Sequence, residues 1–323
     1  MAVYLGVDFG TRAIKIYQKG KGIVLREPNI AAVDANGNVI AVGSQASLLR
    51  TRAPGTVTIR RPLMNGEITD FNLTAEMLER YLETVAPKQK KHVLVAVSYT
   101  LGAKSREILT KALGDCRTGR VILVDCALAA LRSVGISDEN GADDEYSGDI
   151  VCDIGAGFVE AAYIRRGEIL RMETSPFAGE AADAAIVCHA ARKYGLAISA
   201  AEAREAKHKL TLTPDSSQKV TLSGLNSLTG MPMKITLPLS ELLGACAPQI
   251  RATADTLAKL LANLPQHGTV RSSADRIILT GGGAMLGGIA GYISAQIGRE
   301  VTVANEPLDC VANGLGLMLD EYK

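Results

Sequence analysis

The 323-residue chain lacks a charge excess of either sign, with 35 lysines and arginines against 34 aspartates and glutamates. Nucleic-acid-binding chains usually carry a basic surplus, so that class is disfavoured. No Cys-x-x-Cys pair occurs. The six cysteines, Cys116, Cys126, Cys152, Cys188, Cys246 and Cys310, are scattered and lie mostly in apolar runs. They read as small buried residues in a reducing compartment rather than as metal ligands or disulfides. The four histidines show no clustered spacing, which argues against a structural metal. No apolar run is long enough to span a bilayer, and no signal-peptide pattern precedes Val3, so a cytoplasmic protein is expected. A P-loop sequence is absent. The glycine cluster at Gly281 has Leu286 where the third glycine of G-x-G-x-x-G would fall, which speaks against a dinucleotide dehydrogenase.

What is there begins with two short glycine turns, each opening on an aspartate that ends an apolar strand. The first is Asp8-Phe9-Gly10-Thr11-Arg12, after Val3-Tyr4-Leu5-Gly6-Val7. The second is Asp153-Ile154-Gly155-Ala156-Gly157, after Ile150-Val151-Cys152. Another apolar segment comes after each, Ile14-Lys15-Ile16-Tyr17 and Val159-Glu160-Ala161-Ala162-Tyr163-Ile164. Such a hairpin tip lets backbone N–H groups face an anion, because glycine tolerates the required dihedrals. One hairpin is an ordinary tight turn. Two, with an aspartate at the same place, suggest a duplicated fold that clamps a polyphosphate between its halves. The aspartates would hold a hydrated divalent cation on that phosphate. The plainer alternative is that they are strand-end residues stabilising a turn.

The rest of the chain alternates strands and helices, which predicts an α/β fold with a largely parallel sheet. Asn72-Leu73-Thr74 opens a helix with Met77, Leu78, Tyr81, Leu82 and Val85 at helical spacing. His92 to Val97 reads as a strand covered on both faces. A helix near 104–113, a strand at 121–124 and a helix from about Cys126 to Ser133 come next. The acidic segment 138–145 reads as an exposed connection between halves, or alternatively as an acidic binding tail. In the second half, helices are expected over 180–194, 200–210 and 239–264, with loop and short strands over 211–233. A last helix lies over 308–321.

A third glycine cluster, Gly281-Gly282-Gly283, stands after the apolar strand Arg276-Ile277-Ile278-Leu279-Thr280 and before a helix expected from about Leu286 to Ile297. A glycine-rich strand-to-helix turn aims a helix N-terminus at a ligand. This order of two aspartate hairpins and a triple-glycine turn resembles the actin-like ATPase superfamily. Within it, the chain is most similar to MreB, the bacterial rod-shape actin. The segments that carry this are Gly20-Lys21-Gly22-Ile23-Val24-Leu25 with Glu27-Pro28, and Ile59-Arg60-Arg61-Pro62-Leu63-Met64-Asn65-Gly66-Glu67-Ile68-Thr69-Asp70-Phe71. Ala178-Gly179-Glu180, Asp183-Ala184-Ala185-Ile186 and Glu306-Pro307-Leu308-Asp309-Cys310-Val311-Ala312 continue it, so it runs from about Val3 to Leu319.

The resemblance implies an actin-like ATPase fold: two similar halves, each a mixed, largely parallel sheet flanked by helices, with a nucleotide cleft between them. The first domain would be 1–140 plus 304–323, with an outer subdomain at about 33–72. The second would be 141–303, with an outer subdomain at about 181–238. Asp8 and Asp153 would hold Mg2+ through water on bound ATP or ADP. Gly10, Thr11, Arg12, Gly155, Ala156 and Gly157 would line the phosphates, Gly281, Gly282 and Gly283 the adenosine side, and Lys207 the ribose side. Lys15 interrupts an apolar strand, where it needs solvent or an anion. Conventional actin has a phosphate-reaching lysine at this position, whereas MreB proteins usually have an apolar residue. Both readings of Lys15, phosphate ligand and solvated strand lysine, stand.

Several positions depart from the MreB pattern. Ala13 and Ile14 replace Asn-Thr after the first turn, and Phe158, Val159 and Glu160 stand where Thr-Thr-Glu is usual. Arg204 occupies the position of a glutamate three residues before Lys207. Val124-Asp125-Cys126-Ala127 stands where MreB reads Ile-Glu-Glu-Pro, so Cys126 takes the place of the glutamate that positions the attacking water. A thiol cannot replace a general base, an effect worth ~10²–10⁴-fold. Asp125 could stand in only if the strand ended one residue differently, since adjacent strand side chains face opposite ways. Slow or absent hydrolysis is therefore expected.

Lys88-Gln89-Lys90-Lys91 sits where MreB often displays an apolar membrane tip. Lys88, Lys90 and Lys91 read either as a patch for anionic headgroups, each lysine contributing ~1 kcal/mol, or as a solvated loop. The expected function is a cytoplasmic filament involved in cell shape, contacting itself, other MreB-type proteins and cell-wall morphogenesis proteins, with peripheral membrane association. The alternative is a non-polymerising nucleotide-binding regulatory or assembly protein. A metabolite kinase or chaperone ATPase ranks third, the outer subdomains being small for a sugar kinase.

Overall fold

The computed structural model describes residues 2–52, 57–64, 66–135, 147–213, 217–264 and 273–321, with positions 55, 215, 266, 267, 270 and 271. The acidic segment 138–145 lies outside them. The chain divides into two compact units, one of residues 1–141, 166–168 and 308–323 and the other of 142–165 and 169–307.

In the first unit, β1 (Val3–Phe9), β2 (Ala13–Gln18) and β3 (Gly22–Pro28) form an antiparallel meander. Beside it in sequence comes a small sheet built from β4 (Ala31–Val33), β5 (Val39–Val42) and β6 (Thr58–Arg60), with α1 (Gly43–Arg52) against it. A short hairpin of β7 (Leu63–Met64) and β8 (Glu67–Ile68) leads to α2 (Phe71–Val85). Then come β9 (Lys91–Val97), α3 (Ala103–Gly114), β10 (Thr118–Asp125) and α4 (Cys126–Val134). The main sheet has the order β10-β9-β1-β2-β3, with β10, β9 and β1 parallel.

The continuous apolar runs of β1 and β9 arise from cover on both faces. On one face Leu5, Val7, Val93 and Val95 pack with Met77, Leu78 and Leu82 of α2 and Leu109 and Leu113 of α3. On the other lie α4 and α9 (Cys310–Glu321), packed so closely that a Cβ on Gly314 would collide with the Ala129 backbone. The cap of α2 is Asp70, whose side chain accepts the Leu73 N–H at 3.0 Å, and the expected opening residue Asn72 lies inside the helix. Asp70 has the extended backbone of a cap, so the helix starts one residue earlier, at Phe71.

The second unit repeats this arrangement. Its sheet has the order β13-β12-β11-β19-β20, from β11 (Ser147–Ile154), β12 (Val159–Arg165), β13 (Glu168–Ser175), β19 (Ser273–Thr280) and β20 (Thr302–Val303). Again the strand that enters the turn pairs antiparallel with its successor and parallel with its other neighbour. Between these lie α5 (Gly179–Tyr194), β14 (Leu196–Ala197), α6 (Ala200–Lys207), β15 (Lys219–Asn226), β16 (Pro232–Pro238), α7 (Leu239–Ala262), β17 (Gln266–His267) and β18 (Val270–Arg271). Ile150, Cys152, Ile277 and Leu279 pack on Leu257 and Leu260 of α7 and on Ile289 and Ile293 of α8 (Ile289–Ile297).

Two expected helices are shorter than their patterns by three residues. The 200–210 segment stops at Lys207, where Leu210 instead joins a buried cluster with Ile186 and Leu222. The helix expected from Leu286 begins at Ile289, after a separate 3-10 turn at Gly282–Met285. Gly287 and Gly288 break it, Gly288 at φ 84°. Of the cysteines, Cys116, Cys152, Cys246 and Cys310 are buried, and none of the six is in a disulfide. Burial pushes the Cys116 thiol to about 12 and that of Cys246 to about 11, leaving both protonated and inert.

Candidate functional site

In the first hairpin the Gly10 N–H donates to the Ala13 carbonyl at 3.1 Å, leaving Thr11 and Arg12 as the loop. In the second the Gly155 N–H donates to the Phe158 carbonyl at 2.9 Å, leaving Ala156 and Gly157. A Cβ on Gly10 would come within 2.9 Å of the Ala13 oxygen, and one on Gly155 within 3.0 Å of the Phe158 oxygen. Glycine is needed in both turns for the same steric reason. Among the described residues, the Thr11, Ala156 and Gly157 N–H groups have no hydrogen-bond partner. The matching carbonyls are engaged. Those of Gly155 and Ala156 accept from Gly179 and Glu180 at the start of α5, at 3.1 and 2.8 Å. Successive free N–H groups on a turn make an anion-binding concavity.

Charge distinguishes the hairpins. The residue paired with Asp8 is Lys15, and the residue paired with Asp153 is Glu160. Lys15 Nζ lies 3.2 Å from Asp8 Oδ2 and 3.8 Å from Asp309 Oδ1, and it donates to the Leu308 carbonyl. Lys15 is thus neither a free strand lysine nor pointed at open solvent. It neutralises Asp8, whose residue is 8 % exposed. In the second hairpin two carboxylates stand in cross-strand register, with Glu160 5 % exposed. Thr280 Oγ1 donates to Asp153 Oδ1 at 3.1 Å. Like charges directly opposite each other are unfavourable unless a cation balances them.

The other residues expected on the second unit's side gather at this hairpin. Gly281 has φ 80°, and a Cβ there would run into Asp153 Oδ1. A Cβ on Gly283 would run into the Ile154 side chain. Gly281 and Gly283 are therefore required for close packing on β11. The chain leaves Gly281 into the 3-10 turn, so no α-helix N-terminus starts there. Lys207 Nζ donates to the Gly179 carbonyl at 2.6 Å and lies 2.6 Å from Asp183 Oδ1. Arg204 Nε lies 3.4 Å from Asp183 Oδ2. Asp183, 3 % exposed, thus takes both cations of α6 and holds Lys207 next to the turn.

In the first unit, Asp8, Ala96 and Val124 form one row across β1, β9 and β10. Asp125, the next residue, faces away from that row. Arg106 of α3 holds it, with Nη2 at 3.1 Å from Asp125 Oδ1, and the same guanidinium donates to the Ser98 and Leu101 carbonyls. The Asp125 carboxylate, offered as a possible base, therefore carries an arginine partner on the face opposite Asp8. Cys126 opens α4, half-buried.

The chain matches the model of the MreB/Mbl protein family over residues 2–323. It is 31% identical over 322 residues to the cell shape-determining protein Mbl of Bacillus subtilis (strain 168), covering 98% of this chain and 95% of that one. It is 30% identical over 327 residues to the cell shape-determining protein MreB of Escherichia coli (strain K12), covering 98% and 93%. The fold is that of MreB5 of Spiroplasma citri bound to ADP, at TM-score 0.88 and 22% identity over 99% of this chain and 97% of that one. It is also that of MamK in a double helical filament, at TM-score 0.79 and 18% identity over the whole of both chains. The chain belongs to the MreB/Mbl family.

Within this actin-like fold, the basic patch expected at Lys88, Lys90 and Lys91 needs correction. Lys91 is 0 % exposed and its Nζ donates to Glu83 Oε1 at 2.7 Å and to the Gln89 carbonyl at 3.2 Å. It opens β9 and reaches back to α2, so only Lys88 and Lys90 are exposed. They lie at the end of the sheet opposite Asp8, since Lys91 pairs with Val3. Among the described residues no helix is long and apolar enough to cross a membrane.

Sequence reasoning missed Glu160, Arg106 and Asp183 as partners of site residues. Glu160 was detectable, because it stands seven residues after Asp153 as Lys15 does after Asp8. Arg106 and Asp183 arrive from distant elements and leave no local signal. Magnesium fits the second hairpin, where Asp153 and Glu160 bring two carboxylates to one strand pair. It fits the first poorly, because Asp8 already carries an ammonium. Among the described residues no group of three or more His, Cys, Asp or Glu side chains could hold a metal ion directly. A cation coordinated mainly by water and phosphate is the arrangement compatible with that.

Proposed function

We propose that this MreB/Mbl-family chain binds ATP or ADP with magnesium and polymerises into filaments that take part in determining cell shape. The observation that carries the reading is the pair of matched turns, each with an aspartate at its base and unpartnered N–H at its tip, Thr11 in the first and Ala156 and Gly157 in the second. Thr11, Ala156 and Gly157 bind the phosphate oxygens through backbone N–H groups, with Arg12 beside them. Lys15, held by Asp8, places an ammonium donor under the first turn. Asp153 and Glu160 would hold magnesium, which would supply positive charge to the phosphates. Lys207, positioned by Asp183, approaches the same turn from α6.

Hydrolysis is slow in this reading. Cys126 holds the position where the family carries its water-positioning glutamate, and Arg106 ties up Asp125. Curated relatives named for cell-shape determination and a neighbour described as a double helical filament support assembly. Neighbours described with ADP and AMPPNP support nucleotide binding. The protein works in the cytoplasm, with other MreB-type and cell-wall morphogenesis proteins as partners and peripheral membrane contact through Lys88 and Lys90. Calorimetry with Mg-ADP, together with pelleting in ATP, ADP and no nucleotide, tests the reading. Binding without any pellet at high concentration would leave the non-polymerising regulatory protein as the better account.

A further inference from the structure

The two turns hold their carbonyls by different means. The second uses the first N–H groups of α5. The first uses Asn29, the residue after β3. The Asn29 backbone N–H donates to the Arg12 carbonyl at 2.9 Å, and its Nδ2 donates to the Gly10 carbonyl at 2.9 Å. Both ends of the turn are therefore clipped to one residue, which is 1 % exposed.

The clip rests on a fixed base. The Pro28 carbonyl accepts from the Tyr81 hydroxyl at 3.1 Å. The Glu27 carboxylate accepts the Ser44 N–H at 2.6 Å at the start of α1. Burial, reinforced by the nearby Glu27 carboxylate, pushes the Tyr81 hydroxyl well above its ordinary value, so it stays protonated and keeps donating. A residue whose preceding neighbours are anchored to two helices can impose a conformation on the turn it contacts.

Asn29 carries a cost that identifies its role. Its Oδ1 is buried and has no hydrogen-bond partner among the described residues. A buried unpaired acceptor is unfavourable, and alanine would avoid it. Turning the amide over would set Oδ1 against the Gly10 oxygen. The asparagine is accounted for by its Nδ2 bond to Gly10.

We propose that Asn29 is a positioning residue for nucleotide binding. It draws the Gly10 and Arg12 carbonyls inward, which keeps their negative dipole ends off the phosphates and leaves the Thr11 N–H facing outward. The inference rests on the nucleotide reading above. It is tested with the full chain, Asn29→Ala and the isosteric Asn29→Asp, by calorimetry with Mg-ADP at a temperature where each is folded, and by melting without ligand. Both variants keep the backbone bond to Arg12. Asn29→Ala should weaken ADP about tenfold with a ligand-free melting temperature near wild type. Asn29→Asp, which sets a carboxylate against the Gly10 oxygen, should weaken it further. ADP affinity within twofold of wild type in the folded variants overturns the inference, even if melting temperature falls. A wild-type chain that binds no ADP overturns the nucleotide reading and the inference with it. If one variant does not fold, the other decides.

Discussion

Single residues set how the two hairpins differ. Lys15 and Glu160 occupy the same register position opposite Asp8 and Asp153. One aspartate is thus internally neutralised and the other shares its strand pair with a second carboxylate. Asp153→Ala should weaken ADP binding in magnesium at least tenfold and remove most of the difference between assays with magnesium and with EDTA. Asp8→Ala should also weaken binding, by releasing Lys15, but leave the magnesium dependence in place. Unchanged affinity in both variants would sink the assignment. At the end of β10 the contrast is between Cys126 and Asp125. A positioned general base contributes ~10²–10⁴-fold. Cys126→Glu should therefore raise phosphate release at least ~10-fold, whereas Asp125→Asn should leave it unchanged, because Arg106 already holds that carboxylate. If Asp125→Asn abolished turnover, Asp125 would be the base after all.

At the scale of elements, a polar knot ties α5 to α7. Glu241 Oε1 accepts from Tyr194 Oη at 2.7 Å, meets His189 Nε2 at 2.7 Å and lies 2.9 Å from Lys193 Nζ. Led by the Lys193 hydrogen bond, these partners lower the Glu241 carboxyl to about 2, from an ordinary 4.5. A depressed carboxylate stabilises the fold above its unfolded value and loses that contribution as pH falls toward the folded one. The knot should therefore be fully effective above about pH 5 and fade between 4.5 and 2. Glu241→Gln should lower the melting temperature at pH 7, and the gap from wild type should close on acidification through that window. A gap independent of pH would mean that the carboxylate charge is not what matters. The elements themselves were largely legible, since β1, β9, β11 and β19 are apolar runs whose cover on both faces shows in the sequence. The two-part 3-10 turn and α8 were not read correctly, although Gly287 and Gly288 mark the break. The site was legible in its glycines and aspartates, which sit on local turns. Asn29, Asp183 and Arg106 were not, because each acts on a residue supplied by another element. The burial of Lys91 was hidden for the same reason: beside Lys88 and Lys90 it reads as a charged loop, and only the return of α2 brings Glu83 to it.

For the whole molecule the question is assembly and its relation to a membrane. Family segments outside the hairpins, at Gly20–Glu27 and Ile59–Phe71, are more than a nucleotide-binding core requires. Glu27 anchors α1 and the base of the Asn29 clip, which accounts for part of the first segment structurally. Filaments should therefore form, and pelleting should depend on nucleotide, with head-to-tail contacts that do not close giving open polymers. Any direct membrane contact must be electrostatic and weak, because Lys88 and Lys90 are the exposed cations of the loop and each contributes ~1 kcal/mol on anionic headgroups. Lys91 must be left out of the test: removing it strips Glu83 of a partner and should destabilise the α2–β9 junction whether or not lipid is present. The double variant Lys88→Gln/Lys90→Gln should lose co-sedimentation with anionic liposomes and still polymerise. Wild-type binding should fade as salt rises, since exposed charges are screened over ~8–10 Å. Binding to neutral liposomes that survives high salt would instead require an apolar insertion from elsewhere on the surface.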